Sequence, residues 1–356
     1  MALRVVVWGT GNVGRPALRA VLANPALELS GVIVSAPEKI GRDAGTLADV
    51  APCGVAASDD VAGMLASRPD AVVYAASADF RMAEAIGDVL RCLASGANVV
   101  TPGIYPLYYE PCCPPELLVH VKAACERGGS SVFASGIDPG WAFDLLPIVL
   151  SGVVGEIDEV RVQEQFDYAT YHAPAAVREL VGFGTSLDVV PPMLRDEALL
   201  TVWGPMVRII AEGLGASLDE VRTAIERRPL EKTVEVPGMG RFDAGTQGAM
   251  RFEVQGIVGG RPRIVAEHVT RIHASCAPEW PYPPAGKAGA HRVILTGRPT
   301  LEVTISADDG DGNPAAGGNA TAAARLVNAI PAVCAAPPGI VHPLSLPAIV
   351  GRGKLR

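Results

Sequence analysis

The sequence predicts an α/β chain of two domains, a parallel sheet covered by helices on both faces and then an α+β domain. Three observations predict it. Short apolar runs alternate with helix-like stretches through about residue 135, and the connections between them are short. After about Asp138 the pattern turns to longer strands, several of alternating character. Strand–helix–strand units joined in this way are right-handed and set a parallel sheet between two helical layers.

Leu3–Val7 reads as a buried strand and Asn12–Ala23 as a helix that accommodates Pro16 in its first turn. Leu29–Val34 is a second strand, Asp59–Ala66 a short helix and Ala71–Ala75 a third strand. Helical spacing over Phe80–Ala94 stops at Gly96. Asn98–Thr101 follows as a strand, Pro115–Arg127 as a helix ended by Gly128 and Gly129, and Ser131–Ala134 as the fifth strand. Beyond Asp138, strands are expected over Asp158–Phe166, Met250–Val258, Arg263–His273, Ala290–Leu295 and Leu301–Ser306, and helices over Met193–Leu214 and Leu218–Arg227. Asp308–Ala320 has the composition of a flexible linker. Thr321–Ala335 reads as a helix that returns to the first domain. The expected division is therefore 1–138 with 321–356, and 139–320.

Bulk composition narrows the function classes. A length of 356 residues carries two cores, and 49% hydrophobic with 19% charged residues is ordinary for a globular protein. A net charge of -8 without a Lys/Arg cluster argues against a nucleic-acid surface. The cysteines number seven, with no CxxC pair and no zinc-ligand spacing, which fits free thiols in the reducing cytoplasm. No membrane span is expected. The N-terminal apolar run Leu3–Trp8 passes straight into a glycine-rich turn, and the one near Trp141–Val154 carries Asp144 and Pro147. Asp309 opens a run that superficially resembles a calcium loop. Its sixth and twelfth positions are Pro314 and Ala320, where Gly and Glu are needed, so no metal is expected.

Gly9-Thr10-Gly11-Asn12-Val13-Gly14 is a GxGxxG turn between the first strand and the first helix. In that context the motif signals a Rossmann-type dinucleotide-binding domain. Gly9 allows the tight turn, Gly11 lets a pyrophosphate approach the backbone, and Gly14 permits close helix–strand packing. The N–H groups of the helix start then point at the phosphates. The end of the second strand, Val34-Ser35-Ala36-Pro37, lacks the acid that usually holds the ribose hydroxyls of NAD. Ser35, Lys39 and Arg42 could instead hold a 2′-phosphate. NADP(H) is favoured and NAD(H) remains open.

Ligands of an open parallel sheet bind beyond the carboxyl ends of its strands. That rule selects Ser77–Asp79, Thr101–Glu110 and Ser135–Phe143, so Ser77, Thr101, Pro102, Asp138 and Pro139 are expected to border the nicotinamide. Hydride transfer to C=O or C=N needs a donor or positive group beside the heteroatom. Tyr105 and Tyr108 in the first domain are candidates, as are Tyr168, Tyr171 and His172 after the first long strand of the second. The aromatic character of these loops suggests a small, mainly apolar substrate.

These stretches together resemble the dihydrodipicolinate reductase-like superfamily: VVVWGTGNVGRPAL, GRDAG (Gly41–Gly45), NVVTPG (Asn98–Gly103), SGIDPGW (Ser135–Trp141) and NAIPAVCAAPPGI (Asn328–Ile340). The resemblance covers nearly the whole chain. It is closest to the branch of 2,4-diaminopentanoate dehydrogenase and the native amine dehydrogenases. It implies a Rossmann domain, an α+β substrate-binding and dimerisation domain, a homodimer, and NAD(P)-dependent chemistry at an amine or imine carbon. Two departures stand out. The reductases carry His-His and Lys after the second-domain strand, whereas this chain reads DYATYHAP with no lysine before Arg178, which speaks against lysine biosynthesis. The amine dehydrogenases place an ammonia-binding glutamate where this chain has Pro102, Gly103 and Ile104, with Glu110 the nearest acid. Ketone/alcohol chemistry, or a non-catalytic dinucleotide sensor, are the alternatives that these departures leave.

Overall fold

The computed structural model describes residues 1–171, 173–310 and 316–354. The chain divides into two compact units, Met1–Gly140 with Asn319–Arg356, and Trp141–Gly318.

In the first unit, β1 (Leu3–Trp8), α1 (Gly14–Leu22), β2 (Leu27–Ile33), α2 (Ala44–Leu47), β3 (Ala57–Ser58), α3 (Val61–Ala66) and β4 (Ala71–Tyr74) build one half of the sheet. Then α4 (Met82–Ala94), β5 (Asn98–Thr101), α5 (Pro115–Gly128) and β6 (Ser131–Ala134) build most of the other. The sheet order among the described residues is β15-β6-β5-β4-β1-β2-β3, where β15 is Gly339–Ile340. Every pairing is parallel. The chain therefore works outward from β1 in one direction, then restarts at β4 and works outward in the other. The crevice of such a sheet opens where the direction reverses, above β1 and β4. Valines dominate these strands because both faces are covered: Val5, Val6, Val7, Val72, Val73, Val99 and Val100 are fully buried. The C-terminal segment completes this unit. Helix α9 (Ala316–Cys334) contributes Leu326, Val327, Ile330 and Val333 to the core that holds Val5, Val7 and Leu18, and β15 pairs with β6.

The second unit contains α6 (Leu145–Ser151), β7 (Glu156–Asp167), α7 (Asp196–Val202), α8 (Gly204–Gly213), β8 (Glu220–Pro229), β9 (Val234–Val236), β10 (Gly240–Phe242), β11 (Gln247–Val258), β12 (Arg261–Arg271), β13 (Gly289–Arg298) and β14 (Leu301–Ile305). Its main sheet runs β14-β13-β7-β12-β11-β8. Only β7 and β12 are parallel among its described pairings. Helices α6 and α8 pack on this sheet, and α8 lies close enough that a Cβ on Gly256 would meet the Val207 side chain at 2.6 Å. No helix among the described residues is long and apolar enough to cross a membrane.

Three expectations are corrected here. Leu218–Arg227 was expected as a helix but mostly lies in β8. Leu218, Val221 and Ile225 fit a helical spacing, while Val221, Thr223 and Ile225 fit an alternating one. Ten residues of antiparallel pairing to β11 decide for the strand. Met193–Leu214 is two short helices, not one, because Pro205 lacks the N–H that would bond back across Trp203 and Gly204. Asp308–Ala320 is not linker throughout, since α9 already begins at Ala316; residues 311–315 lie outside the described ones.

The sheet face carrying Arg161, Gln163, Glu253 and Glu267 is polar. Arg161 pairs with Glu253 and Glu267 at 2.7 Å each, Arg251 reaches Glu267 at 2.6 Å, and Gln163 donates to Glu267 at 2.9 Å. Burial alone would raise the Glu253 carboxyl, but hydrogen bonds from Arg161 and Gln255 and the charges of Arg161 and Arg251 together lower it. A folded-state value below the unfolded one adds stability above the unfolded value, about 4.3, that is lost as pH falls through the folded one. Arg161→Met leaves Glu267, 1% exposed, with half its compensation. It should cost about 3 kcal/mol at neutral pH and flatten the acid limb of stability below about pH 5, as read by urea melts across pH.

Candidate active site

All strands of the first unit's sheet point the same way, so the loops after β1, β2, β4, β5 and β6 gather along one edge. The glycine-rich turn sits at the reversal. Gly9 has φ +102°, and a Cβ there would lie 2.7 Å from Ala76 N in the loop after β4. A Cβ on Gly14 would come within 2.0 Å of the Gly9 carbonyl oxygen. Both glycines are required by backbone contact. Gly11 differs: a Cβ there would meet nothing within 4 Å. The fold therefore does not demand glycine at 11, and the space above it is open to a ligand. No side chain caps α1, whose first N–H groups are left to the loop. These residues fit a dinucleotide pyrophosphate.

Beside this turn, Lys39 ends the tight turn Pro37–Lys39 and donates from Nζ to Thr10 Oγ1 at 3.0 Å and Thr10 O at 3.4 Å. Its ammonium is thus held against the loop, next to exposed Ser35 at the end of β2, while Arg42 is exposed. Asn12 is exposed and Val13 half-buried. Under the crevice, Tyr74 at the end of β4 donates to Asp88 at 2.8 Å, and Arg81 and Arg91 bind the same carboxylate at 3.1 and 2.5 Å. Burial and then Asp88 push the Tyr74 phenol up to about 12, so it is a fixed strut.

The remaining first-unit candidates fall on the other loops of that edge. Ser77 is exposed and its Oγ lies 3.2 Å from Asp79 Oδ2. Thr101 is fully buried and its Oγ1 accepts from Gly103 N at 3.3 Å; Pro102 is half-buried. Asp138 and Pro139 share a cis peptide bond in a turn closed by Ser135 Oγ, which donates to Gly140 O at 3.2 Å. Tyr105 is half-buried, and Tyr108, 1% exposed, has its hydroxyl in the interior.

In the second unit, the Asp167 side chain caps the turn Tyr168–Thr170 at the end of β7. Tyr168 and Tyr171 are half-buried and form an aromatic group with Phe166 and Phe183, at centroid separations from 5.4 to 6.1 Å. His172 lies outside the described residues.

One pleat before Phe166 on the same sheet face stands a group that sequence reasoning missed. Strand register sets Phe252, His268, Glu164 and His291 in one row across β11, β12, β7 and β13. Glu164 lies 3.7 Å from His268 Nδ1 and 3.4 Å from His291 Nε2. Phe143 meets both imidazoles edge-on, Phe252 stacks on His268 at 4.7 Å, and Trp203 meets it at 4.8 Å. Nothing local marks these residues in the sequence. The one available signal was a polar residue at an inward position of an otherwise apolar alternation, Val160-Val162-Glu164-Phe166.

Two family models match the chain. Residues 3–101 match the family model described as dihydrodipicolinate reductase, N-terminus, and residues 141–352 match the 2,4-diaminopentanoate dehydrogenase C-terminal domain. The chain is 55% identical to an amine dehydrogenase of Streptomyces virginiae, over 99% of this chain and 98% of that one. It is 24% identical to the 2,4-diaminopentanoate dehydrogenase of Acetoanaerobium sticklandii, over 98% and 95%. The amine dehydrogenase structure from Mycobacterium smegmatis has the same fold, with a TM-score of 0.73 at 22% identity, covering 100% of this chain and 99% of that chain. The fold is one that binds a nicotinamide dinucleotide, and the family is one of enzymes, which removes the sensor alternative. The chain belongs to the dihydrodipicolinate reductase-like dehydrogenases, in the family of the amine and 2,4-diaminopentanoate dehydrogenases.

Proposed function

We propose that the chain transfers hydride between a nicotinamide dinucleotide and the amine or imine carbon of a small, largely apolar substrate. The observation that carries this reading is the open space at Gly11 between two sterically obligatory glycines, in a chain 55% identical to a protein named amine dehydrogenase. Backbone groups of Gly9, Thr10, Gly11, Asn12, Val13 and Gly14 hold the pyrophosphate. Ser35, Lys39 and Arg42 take the adenosine ribose, and with no acid at the end of β2 they favour NADP(H) over NAD(H). Ser77, Thr101, Pro102, Asp138 and Pro139 border the nicotinamide, which when bound supplies or accepts the hydride. Tyr168, Tyr171 and His172, with Tyr105 and Tyr108 as further candidates, supply donors that polarise the substrate. The Phe166, Tyr168, Tyr171 and Phe183 rings supply an apolar wall. Residues 1–138 with 321–356 serve as the dinucleotide domain and 139–320 as the substrate and dimerisation domain of a homodimer. Seven free cysteines accord with a cytoplasmic setting.

Ketone/alcohol chemistry is the second reading, because Pro102, Gly103 and Ile104 leave no carboxylate where amine dehydrogenases of this branch carry one. Nicotinamide absorbance with a panel of small ketones, with and without ammonium, separates the two. Ammonium-dependent oxidation of NAD(P)H is expected, and equal rates without ammonium would assign ketone reduction. Gly11→Val should melt as the wild type yet show no saturable dinucleotide binding, whereas Gly14→Ala should lose about 1–3 kcal/mol of stability. Lys39→Met should weaken NADP(H) about tenfold in a fluorescence titration while changing NAD(H) far less.

A further inference from the structure

We infer that Thr10 is a positioning residue for the 2′-phosphate of NADP(H), because its side chain holds Lys39 ready for that phosphate. The inference rests on the NADP(H) reading above and names the residue that sharpens the choice between NADP(H) and NAD(H).

Both ends of Lys39 are held. Its backbone closes the turn Pro37–Lys39, where Lys39 N donates to Ala36 O at 3.0 Å and Lys39 O accepts from Arg42 N at 3.2 Å. The next residues tie that turn to β3: Gly41 N donates to Ala57 O and Ala57 N donates to Arg42 O, each at 2.8 Å. At the other end, Nζ donates to Thr10 Oγ1 at 3.0 Å and, less closely, to Thr10 O at 3.4 Å. Thr10 is 6% exposed, and a β-branched side chain has few rotamers to choose from. The anchor is therefore itself rigid.

The place and the charge suit a phosphate. In this fold the adenosine ribose lies beyond the end of β2, beside the glycine-rich turn, which is where Lys39 meets Thr10. Both Thr10 oxygens are neutral, so they orient the ammonium without cancelling its charge. Arg15, which follows the same turn, differs, since the Asp49 carboxylate pairs with its guanidinium. An ammonium carries three donors, and two bonds to Thr10 leave one for a phosphate oxygen.

A long, flexible lysine stem loses conformational freedom when a ligand fixes it, and that loss weakens binding. Thr10 fixes the stem beforehand, so the phosphate meets a cation already in place. A ligand without the 2′-phosphate gains little from Lys39 and should be indifferent to Thr10. The backbone acceptor Thr10 O persists in every variant, which keeps the expected effect modest.

The test uses the full chain and calorimetry with adenosine 2′,5′-bisphosphate and adenosine 5′-monophosphate, which differ only in the 2′-phosphate. The wild type should prefer the bisphosphate. Thr10→Val, which removes the hydroxyl acceptor, should weaken the bisphosphate about three- to tenfold and leave the monophosphate within about twofold. Thr10→Ser keeps the oxygen and should restore most of the loss; Thr10→Ala replaces Thr10→Val if the latter does not fold. In a Lys39→Met background, Thr10→Val should change neither affinity, because the interaction it breaks is already gone. Equal weakening of both nucleotides, an intact preference in folded Thr10→Val, or the same loss in the Lys39→Met background would each overturn the inference. A preference that survives Lys39→Met would instead sink the 2′-phosphate reading, and this inference with it.

Discussion

The first unit is organised around one close approach of backbone to backbone. At the reversal of the sheet, the turn after β1 presses against the loop after β4 so tightly that a single added carbon at Gly9 would enter Ala75 and Ala76, and one at Gly14 would enter the Gly9 carbonyl. Helix α1 starts close above the sheet edge because of that contact. The positive end of that helix and the open space at Gly11 then lie together, which is what an anionic ligand requires. Lys39, held to Thr10, adds a positive charge at the same place. The struts beneath, from Tyr74 through Asp88 to Arg81 and Arg91, hold the end of β4 by charge-assisted bonds.

In the second unit, alternation along the strands separates two kinds of polar chemistry onto opposite faces of one sheet. The Arg161, Arg251, Glu253 and Glu267 face is an ion network in which each carboxylate meets guanidinium. Such a network holds strands in register and leaves its carboxylates occupied. The other face joins Glu164 to two histidines and a ring of aromatic side chains. The two faces thus surround their carboxylates with different partners, guanidinium on one and imidazole on the other.

On the helix-covered face, Glu164 stands in one row with Phe252, His268 and His291. One pleat beyond it, Phe166 packs edge-on against Tyr168 and Tyr171.

The order of the first-unit elements and the glycine-rich turn could be read from the chain because they are encoded locally. Val5–Val7, Gly9 and Gly14 lie within one short stretch, and each answers to a constraint of the residues beside it. Boundaries moved by a residue or two, and Leu218–Arg227 went wrong because its apolar residues suit two periodicities. There the pairing partner, β11, decides. The His268–Glu164–His291 group was invisible for a deeper reason. Its members sit on three strands and become neighbours only through the register of β12, β7 and β13. By itself the sequence determined that a strand, a tight glycine turn and a helix would follow one another at the start of a parallel sheet. Only the tertiary structure decided which of the buried carboxylates meets imidazole and which meets guanidinium, because hydrogen-bond register between distant strands, not local preference, sets which side chains share a face.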